Sequence, residues 1–196
     1  MVLKIVFVTG NANKLKEVKM LLAPNTGEEP AFDLTNTDID LDELQSSSLE
    51  DIARHKVAQA ISTLPKGVAV FVEDTALCFN ALNGLPGAYI KWFLKSVGPE
   101  GIVRMLEGFD NKGAEAVTTV AYADAEGQIH MFQGRTQGKI VSPRGSRDFG
   151  WDCCFEPTEG GGSTYAEMAK SDKNKISQRS KAFALLKQYL NGLQAN

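Results

Sequence analysis

The first apolar run of the chain, Leu3 to Val8, is almost unbroken and rich in β-branched residues, a pattern typical of a buried strand. After it, apolar residues recur at helical spacing along one face, at Leu15, Val18 and Leu22. The segment Thr9-Gly10-Asn11 lies between the two patterns and predicts a tight turn, with its asparagine as the cap of a helix that begins at Ala12. The chain is therefore expected to open with a strand, a glycine turn and a helix.

The same two periods predict the later elements. Strands are expected at Phe32 to Thr35, Val68 to Val72, Val117 to Ala123, Ile129 to Gln133 and Gly138 to Val141. Helices are expected from about Leu49 to Leu64, from Tyr89 to Leu94, after Pro99, and from about Lys175, the last of them burying Ile176, Phe183, Leu186 and Leu190. Turns or loops are expected at Pro24-Asn25-Thr26-Gly27, Gly84 to Gly87 and Glu126-Gly127. Because helices at both ends enclose a run of strands, we expect an α/β fold with a mixed sheet.

Composition narrows the class of protein. The 196 residues suit one domain over 1–196, or one domain with a small lobe, and they are enough to bury a core. The net charge of −3 argues against a nucleic-acid-binding or membrane-surface protein. Three cysteines, two of them adjacent at Cys153 and Cys154, do not suggest a disulfide framework and indicate a reducing compartment such as the cytoplasm. No signal-peptide pattern precedes Leu3, and no apolar stretch has membrane-spanning length.

The turn after the first strand is a candidate anion site. Backbone N–H groups and the positive end of the helix dipole point beyond the strand at Asn11, and Lys14 adds a mobile positive charge in the first helical turn. A phosphate-bearing ligand is the natural inference. The alternative is a well-capped strand–helix unit with no ligand, since the turn matches neither the Walker loop nor the dinucleotide-binding glycine pattern.

Two adjacent carboxylates, Glu73 and Asp74, follow the apolar strand Val68 to Val72. We expect them at the carboxyl end of that strand, the edge where open α/β sheets bind ligands. Carboxylates there need a cation or hydrogen-bond donors, and the alternative is a solvated strand exit. Further acidic residues lie upstream and include Asp38, Asp40, Asp42 and Glu43. One or two of these are candidates to meet the pair, and carboxylates with phosphate oxygens form a donor set suited to Mg²⁺.

Several lysines lie where a polyphosphate would need them. Lys56 lies at the edge of the apolar stripe of its helix, and Lys91 lies within the apolar segment Tyr89 to Phe93. Positive charges also cluster before and within the start of the last helix, at Lys170, Lys173, Lys175, Arg179 and Lys181. A charge run is usually a solvated face, which is the alternative interpretation for most of this cluster.

Two aromatic residues, Phe149 and Trp151, flank Gly150 and stand next to Asp152. Near phosphate-binding groups, such side chains favour a platform on which a base stacks. The alternative is that both rings belong to the hydrophobic core.

Five motifs occur in chain order: TGNANK, VEDTAL, GLPGAYIKWF, FGWD and SDKNKISQR. Over nearly the whole chain they resemble the inosine triphosphate pyrophosphatase family, in its eukaryotic branch. The resemblance implies a hydrolase, dependent on Mg²⁺ with Mn²⁺ as the alternative ion, that cuts ITP, dITP and XTP to the monophosphate and pyrophosphate. It also implies an elongated α/β fold with a central mixed sheet flanked by helices, two lobes with the active-site cleft between them, and a homodimer.

The resemblance further implies roles for single residues. The phosphates would be held by Thr9, Gly10, Asn11, Ala12, Asn13, Lys14, Lys56 and Lys173. Glu43 and Asp74 would bind the metal, and Asp74 would also accept the proton of the attacking water. Thr75 would contact the substrate and Lys91 would line the cleft. The base would be surrounded by Phe149, Gly150, Trp151, Asp152, Gln178 and Arg179.

One position departs from the family, whose Ser-His-Arg is Ser177-Gln178-Arg179 in this chain. Selectivity for a 6-oxo purine requires donors aimed at O6, such as Arg179 or backbone N–H groups near Trp151, because adenine presents its own donor there. The competing interpretation is a non-catalytic purine-nucleotide sensor or regulatory module. Such a module would keep the lysines, the anion site and the aromatic platform but would not need carboxylates beside a metal.

Overall fold

A computed structural model of the chain describes residues 3–24 and 32–194. Within them, five α-helices are α1 (Ala12–Leu22), α2 (Leu49–Thr63), α3 (Ile90–Arg104), α4 (Lys170–Ile176) and α5 (Gln178–Gln194). The strands are β1 (Leu3–Val8), β2 (Phe32–Thr37), β3 (Ala69–Phe79), β4 (Pro86–Gly87), β5 (Gly113–Ala123), β6 (Ile129–Ile140) and β7 (Phe155–Pro157). Of the loop predicted at 24–27, residues 25–27 lie outside the described residues. None of the described helices combines the length and apolar composition needed to cross a bilayer.

The strands form one mixed sheet in the order β2-β1-β3-β5-β6-β7, with β4 paired to β3. β1 pairs in parallel with both β2 and β3, whereas β4 and β7 run antiparallel to their partners. Helices connect the first three strands, as parallel pairing requires, and a short turn at 124–128 connects β5 to β6. The predicted α/β fold with a mixed central sheet flanked by helices is confirmed.

The described residues divide into two compact units. The first unit takes its residues from Met1–Asp74, Thr119–Gln133 and Ala182–Asn196. The second takes them from Thr75–Thr118 and Gly134–Lys181. The chain passes from the first unit to the second inside β3, at the peptide bond between Asp74 and Thr75.

In the first unit, helices cover both faces of the sheet. On one face Phe71 of β3 stacks on Phe7 and meets the edge of Phe183 of α5, in a core that also contains the buried side of α1. On the other face Val72 packs in a core with Val57 of α2. Because successive strand residues point to opposite faces, odd positions of β3 face α1 and α5, and even positions face α2.

In the second unit, the core lies between the sheet and α3, and it includes Ile102, Leu106, Phe155 and Tyr165. The two helices predicted around Pro99 form one element, α3, that is interrupted at Gly98. Gly98 has φ +67, a backbone conformation that glycine adopts without the penalty of a side chain, and Pro99 then starts the next helical turn.

The expectation that Glu73 and Asp74 follow the end of a strand is wrong, because β3 continues to Phe79. Its parallel partner β1 ends at Val8, while β3 goes on to pair with β4 through Leu77. The two carboxylates therefore lie where the parallel pairing stops rather than where the strand stops. Likewise, the strand predicted separately at Gly138 is the end of β6.

The predicted C-terminal helix is divided in two at Ser177, which has an extended backbone. The Ser177 hydroxyl accepts a hydrogen bond from the Ser180 N–H over 3.1 Å and so caps the start of α5. Phe183 is buried in the first unit as predicted, but Ile176 is only half-buried and packs against the core of the second unit.

Candidate active site

Consecutive carboxylates of β3 bind lysines from two different helices. Glu73 lies on the α1 face, where its Oε2 is 3.2 Å from Nζ of Lys14. Asp74 lies on the α2 face, where its Oδ1 accepts a hydrogen bond from Nζ of Lys56 over 2.6 Å. Because successive side chains of a strand point to opposite faces of the sheet, the two adjacent acidic residues bind two different ammonium groups. These four residues, with Glu43, are called the lysine–carboxylate group below.

Glu43 comes from the acidic segment before α2. That segment is held on α2 by Gln59, which accepts a hydrogen bond from the Asp42 N–H and donates one to the Asp42 carbonyl, both over 3.0 Å. Glu43 Oε1 then lies 3.6 Å from Nζ of Lys56. Glu43 and Asp74 therefore contact the same ammonium, so an upstream acid and a β3 carboxylate share one lysine.

The lysine–carboxylate group carries one net negative charge, because two ammonium groups face three carboxylates. Burial by itself would lower the pKa of Lys56, but the charge and hydrogen bond of Asp74, with the two nearby glutamates, raise this pKa above its ordinary value. Lys56 is therefore a cation throughout the neutral range. A triphosphate would meet a group that is already slightly anionic, so its binding calls for additional positive charge.

Asp74 has one carboxylate oxygen that is open to a further partner. Its Oδ1 binds Lys56, whereas its Oδ2 is buried and receives no hydrogen bond from any described residue. A buried anionic oxygen without a partner is costly, so a cation beside it would stabilise the site. Glu43 and Asp74 thus fit a divalent metal that takes one or two carboxylates.

The kind of metal site is also constrained. In the described part of the chain, no three or more His, Cys, Asp or Glu side chains are grouped so that they could hold a metal by themselves. Mg²⁺ is often bound by one or two carboxylates while water and substrate phosphates supply its other oxygens. The donor set therefore fits an ion that binds together with a phosphate substrate better than a permanently caged one.

The predicted cap at Asn11 is confirmed, and it uses some of the N–H groups of the predicted anion site. Asn11 Oδ1 accepts hydrogen bonds from the N–H groups of Asn13 and Lys14 over 3.0 and 3.1 Å. The Thr9 hydroxyl accepts a hydrogen bond from the Asn11 N–H over 3.1 Å, while Gly10 and Ala12 are exposed. Three N–H donors of the turn and the helix start are thus already paired, which leaves the dipole and the Lys14 ammonium as the main attraction for a phosphate.

Asp38, one of the upstream acidic residues named above, was given no role at the anion site, yet it lies beside this turn. A methyl group at Gly10 would lie 2.5 Å from both carboxylate oxygens of Asp38, so any larger residue would displace that side chain. The signal that points to it is the parallel pairing of β1 and β2, since the carboxyl ends of parallel strands meet at one edge.

In the second unit a separate group, the aromatic–cation group, consists of Phe149, Asp152, Tyr165, Lys173 and Arg179. Nζ of Lys173 lies 2.5 Å from Oδ2 of Asp152 and 4.4 Å from the centroid of the Phe149 ring. The same ammonium lies 5.1 Å from the Tyr165 ring. Cζ of Arg179 lies 5.7 Å from the Phe149 centroid. The Phe149 ring is therefore approached by two cations.

Arg179 is 4% exposed and its Nη2 donates a hydrogen bond to the Thr75 hydroxyl over 3.5 Å. Thr75 also shares a hydrogen bond of 3.0 Å with Thr118 on β5. The residue directly after Asp74 is thus tied to the predicted base-recognition arginine. Thr75 and Arg179 were both predicted as substrate-binding residues, and the structure brings them together.

The two predicted platform residues have different surroundings. Trp151 is 7% exposed and packs edge-on against Phe155, with ring centroids 5.5 Å apart. Its side chain therefore belongs to the core, which was the alternative interpretation. Phe149 is only half-buried, and the adjacent Gly150 is exposed. A stacking role consequently rests on Phe149.

Two predicted lysines belong to the second unit and have other partners there. Lys173 lies in the second unit among aromatic rings. Lys91 is exposed in the first turn of α3, with its ammonium 4.9 Å from the centroid of Trp92. The phosphate role of Lys173 and the cleft role of Lys91 stay predictions.

Tyr165 was not predicted as a site residue. It is buried, and its hydroxyl donates a hydrogen bond to Oε1 of Gln178 over 3.0 Å. Burial raises the pKa of Tyr165, so the hydroxyl stays neutral and keeps its proton for this bond. An isolated tyrosine in an irregular segment has no periodic pattern around it, so no sequence signal pointed to this residue.

Comparison with known proteins shows which family the chain belongs to. Residues 5–189 match the Ham1 family. The chain belongs to the Ham1 family. A relative from Kluyveromyces lactis, named inosine triphosphate pyrophosphatase, is 59% identical over 188 residues, which cover 95% of each protein.

Solved structures of Ham1 proteins resemble the chain over almost its entire length. The Staphylococcus aureus Ham1 protein is 26% identical and superposes with a TM-score of 0.81, covering 96% of this chain and 98% of that one. A Mycobacterium abscessus structure, described as a nucleoside-triphosphatase and dITP/XTP pyrophosphatase, is 26% identical with a TM-score of 0.72. It covers 94% of this chain and 98% of that chain. The Ham1 fold is thus shown by sequence and by structure.

Gln178 stands where the resemblance implies a histidine, so the variant Gln178→His tests the role of this position. The side chain is 4% exposed and serves as the acceptor for Tyr165. A histidine accepts this hydrogen bond only while neutral, and burial disfavours its charged form, so the new pKa should lie below the ordinary value of about 6.5. We expect Gln178→His to keep activity and selectivity for ITP over ATP but to lose kcat/KM as pH falls below about 6.

The measurement is kcat/KM for ITP between about pH 5 and 8 in the wild type and the variant. The exposed Gln188→His on α5 serves as the matched control. A pH profile of kcat/KM that is unchanged from the wild type would show that Gln178 lies outside the base pocket. Loss of selectivity would show that the pocket is packed around the glutamine.

Proposed function

We propose that this protein hydrolyses ITP, dITP and XTP to the nucleoside monophosphate and pyrophosphate, and so cleanses the nucleotide pool of non-standard purines. The names of the Kluyveromyces lactis and Mycobacterium abscessus relatives support this proposal. The geometric observation that carries it is the lysine–carboxylate group. There, two lysines are held by carboxylates of β3 and one buried oxygen, Oδ2 of Asp74, is open to a cation.

The proposed cofactor is Mg²⁺, with Mn²⁺ as the alternative. Glu43 and Asp74 are the residues that would hold it, together with phosphate oxygens of the substrate. When bound, the ion supplies positive charge that neutralises the phosphate oxygens and the departing pyrophosphate. This positive charge is what the lysine–carboxylate group lacks, because that group carries one net negative charge.

The chain's own residues would divide the remaining work. Hydrolysis at the α-phosphorus requires a water in line with the leaving pyrophosphate, and Asp74 is the proposed acceptor of its proton. Lys56 holds this carboxylate at Oδ1, which fixes its orientation for the task. Lys14 and Lys56 would bind phosphate oxygens as point charges.

The aromatic–cation group would bind the base. Phe149 offers a ring face for stacking, and Arg179 offers guanidinium N–H groups to a 6-oxo oxygen. Adenine has an amino group at that position, so its binding would leave a buried donor facing a donor. This difference is the proposed source of selectivity for ITP and XTP over ATP.

The experiment that tests the function is a panel of ITP, dITP, XTP, GTP and ATP with Mg²⁺, in which the products are identified. We expect ITP to give equal amounts of IMP and pyrophosphate, ATP to react at least about a hundredfold more slowly, and chelation by EDTA to stop the reaction. Formation of IDP and inorganic phosphate would contradict the proposal. Binding of ITP without turnover would favour the nucleotide sensor instead.

We also propose a homodimer that works in the cytoplasm. Large apolar side chains are exposed on α3, among them Trp92, Phe93 and Val97, and such surfaces often mark protein contacts. All three cysteines of the chain are unpaired thiols, which agrees with a reducing compartment. Analytical ultracentrifugation would test the dimer, since a monomer at micromolar concentration would contradict it.

A further inference from the structure

Glu73 is the most deeply buried carboxylate of the lysine–carboxylate group. Its side chain is 0% exposed, whereas that of Asp74 is 25% exposed. Its Oε2 lies 3.2 Å from Nζ of Lys14, and the same ammonium donates a hydrogen bond to the Glu73 carbonyl oxygen over 3.2 Å. One residue of β3 therefore holds the Lys14 ammonium at two points.

The location of Glu73 follows from the faces of β3. Phe71 packs in the core beside α1, and Glu73 is the next residue on the same face. The pairing of β3 with β1 ends at Phe71, so Glu73 lies just beyond it, level with the turn that leads into α1. A carboxylate at either neighbouring position of the strand would face α2 instead.

The helix by itself does not fix the ammonium of Lys14. The Asn11 cap fixes the Lys14 backbone, but a four-carbon side chain keeps its rotational freedom unless its end group has a partner. The two contacts with Glu73 remove that freedom. The ammonium is thus in place before any substrate binds, which lowers the entropy lost on binding.

We propose that Glu73 is a positioning residue that holds Lys14 in the orientation in which it binds the substrate phosphates. This inference rests on the proposed function, because that function assigns Lys14 to the phosphates. Glu73 itself is shielded from substrate by burial, so its effect on the reaction runs through the lysine.

Two substitutions test the charge of Glu73 and the length of its side chain separately. Glu73→Gln keeps the size and an acceptor oxygen but removes the charge. Glu73→Asp keeps the charge but withdraws it from Lys14 by one methylene group. The matched control is Glu115→Gln, which removes a strand carboxylate from its ion pair with Arg135 in the second unit.

The kinetic test measures KM and kcat for ITP and the inhibition constant of IMP. In both Glu73 variants we expect KM for ITP to rise about tenfold, with a smaller effect on IMP and little change in kcat, because a charge-assisted phosphate contact is weakened. In a Lys14→Ala background, Glu73→Gln should cause no further loss. An unchanged KM, or an equal loss with and without Lys14, would overturn the proposal.

Thermal unfolding without substrate tests the pair apart from catalysis. Lys14→Ala leaves the buried carboxylate without this lysine and should lower Tm by about 5 °C, and adding Glu73→Gln should restore most of it. If Lys14→Ala left Tm unchanged, the two side chains would not be coupled and the proposal would fail. A wild type that does not hydrolyse ITP would overturn the proposed function, and the unfolding test would still report on the pair.

Discussion

Asp74→Asn is expected to lower kcat/KM for ITP by at least about a hundredfold while the protein stays folded. The asparagine has the same shape, and its amide oxygen can still accept the hydrogen bond from Lys56. Its amide nitrogen, however, presents N–H groups where Oδ2 is open to a cation or a proton. The substitution thus removes the proposed metal ligand and the proposed base from one position.

The measurement is steady-state hydrolysis of ITP with product identification, accompanied by Tm. The exposed Asp33→Asn on β2 is the matched control, since it removes a strand carboxylate from the same unit. A loss smaller than about tenfold, which is roughly 1.4 kcal/mol of transition-state stabilisation, would remove both roles from Asp74.

Arg179→Lys is expected to reduce the preference for ITP over ATP by about a hundredfold, mainly through a loss of kcat/KM for ITP. Lysine keeps the positive charge but lacks the planar set of N–H donors. Arg179 is buried beside Phe149 and its guanidinium donates a hydrogen bond to Thr75. The shorter lysine side chain, held in the same buried position, would not bring its ammonium to the positions of the guanidinium N–H groups. The effect should therefore fall on recognition of the base rather than on the phosphates.

The selectivity ratio is obtained from kcat/KM for ITP and ATP in the same preparation. Arg135→Lys is the control, because this arginine lies in the same unit in an ion pair with Glu115 and carries no predicted contact with the base. Equal losses for ITP and ATP would assign Arg179 to the ribose or the phosphates, which both substrates share.

Much of the fold is predictable from local pattern. The strand at Leu3–Val8, the Asn11 cap and the helix at Leu49–Thr63 were placed correctly or within one residue. These features depend on the period of apolar residues and on a side chain bonding to the backbone two or three positions away. Boundaries that depend on a distant partner were predicted less well, as for β3, which continues past Val72 because β4 pairs with it.

The residues of the candidate site could be predicted from the sequence, but which side chains contact one another could not. The motifs pointed to Asp74 and Arg179, the edge of a helix stripe pointed to Lys56, and the structure shows a partner for each of them. Trp151 and Phe149 show the limit, because two aromatic residues on either side of one glycine look alike in sequence. In the structure Trp151 lies in the core, whereas Phe149 is approached by two cations. Burial is a property of the packed molecule, so no local signal separates them.

The sequence by itself determined which residues carry charge, where strands and helices form and which family the motifs resemble. Only the tertiary structure decided that Glu73 binds Lys14 while Asp74 binds Lys56. That choice depends on which helix covers which face of β3, and therefore on contacts between residues far apart in the chain. Short-range sterics and hydrogen bonds determine the elements, whereas the partner of a charged side chain is determined by how those elements pack.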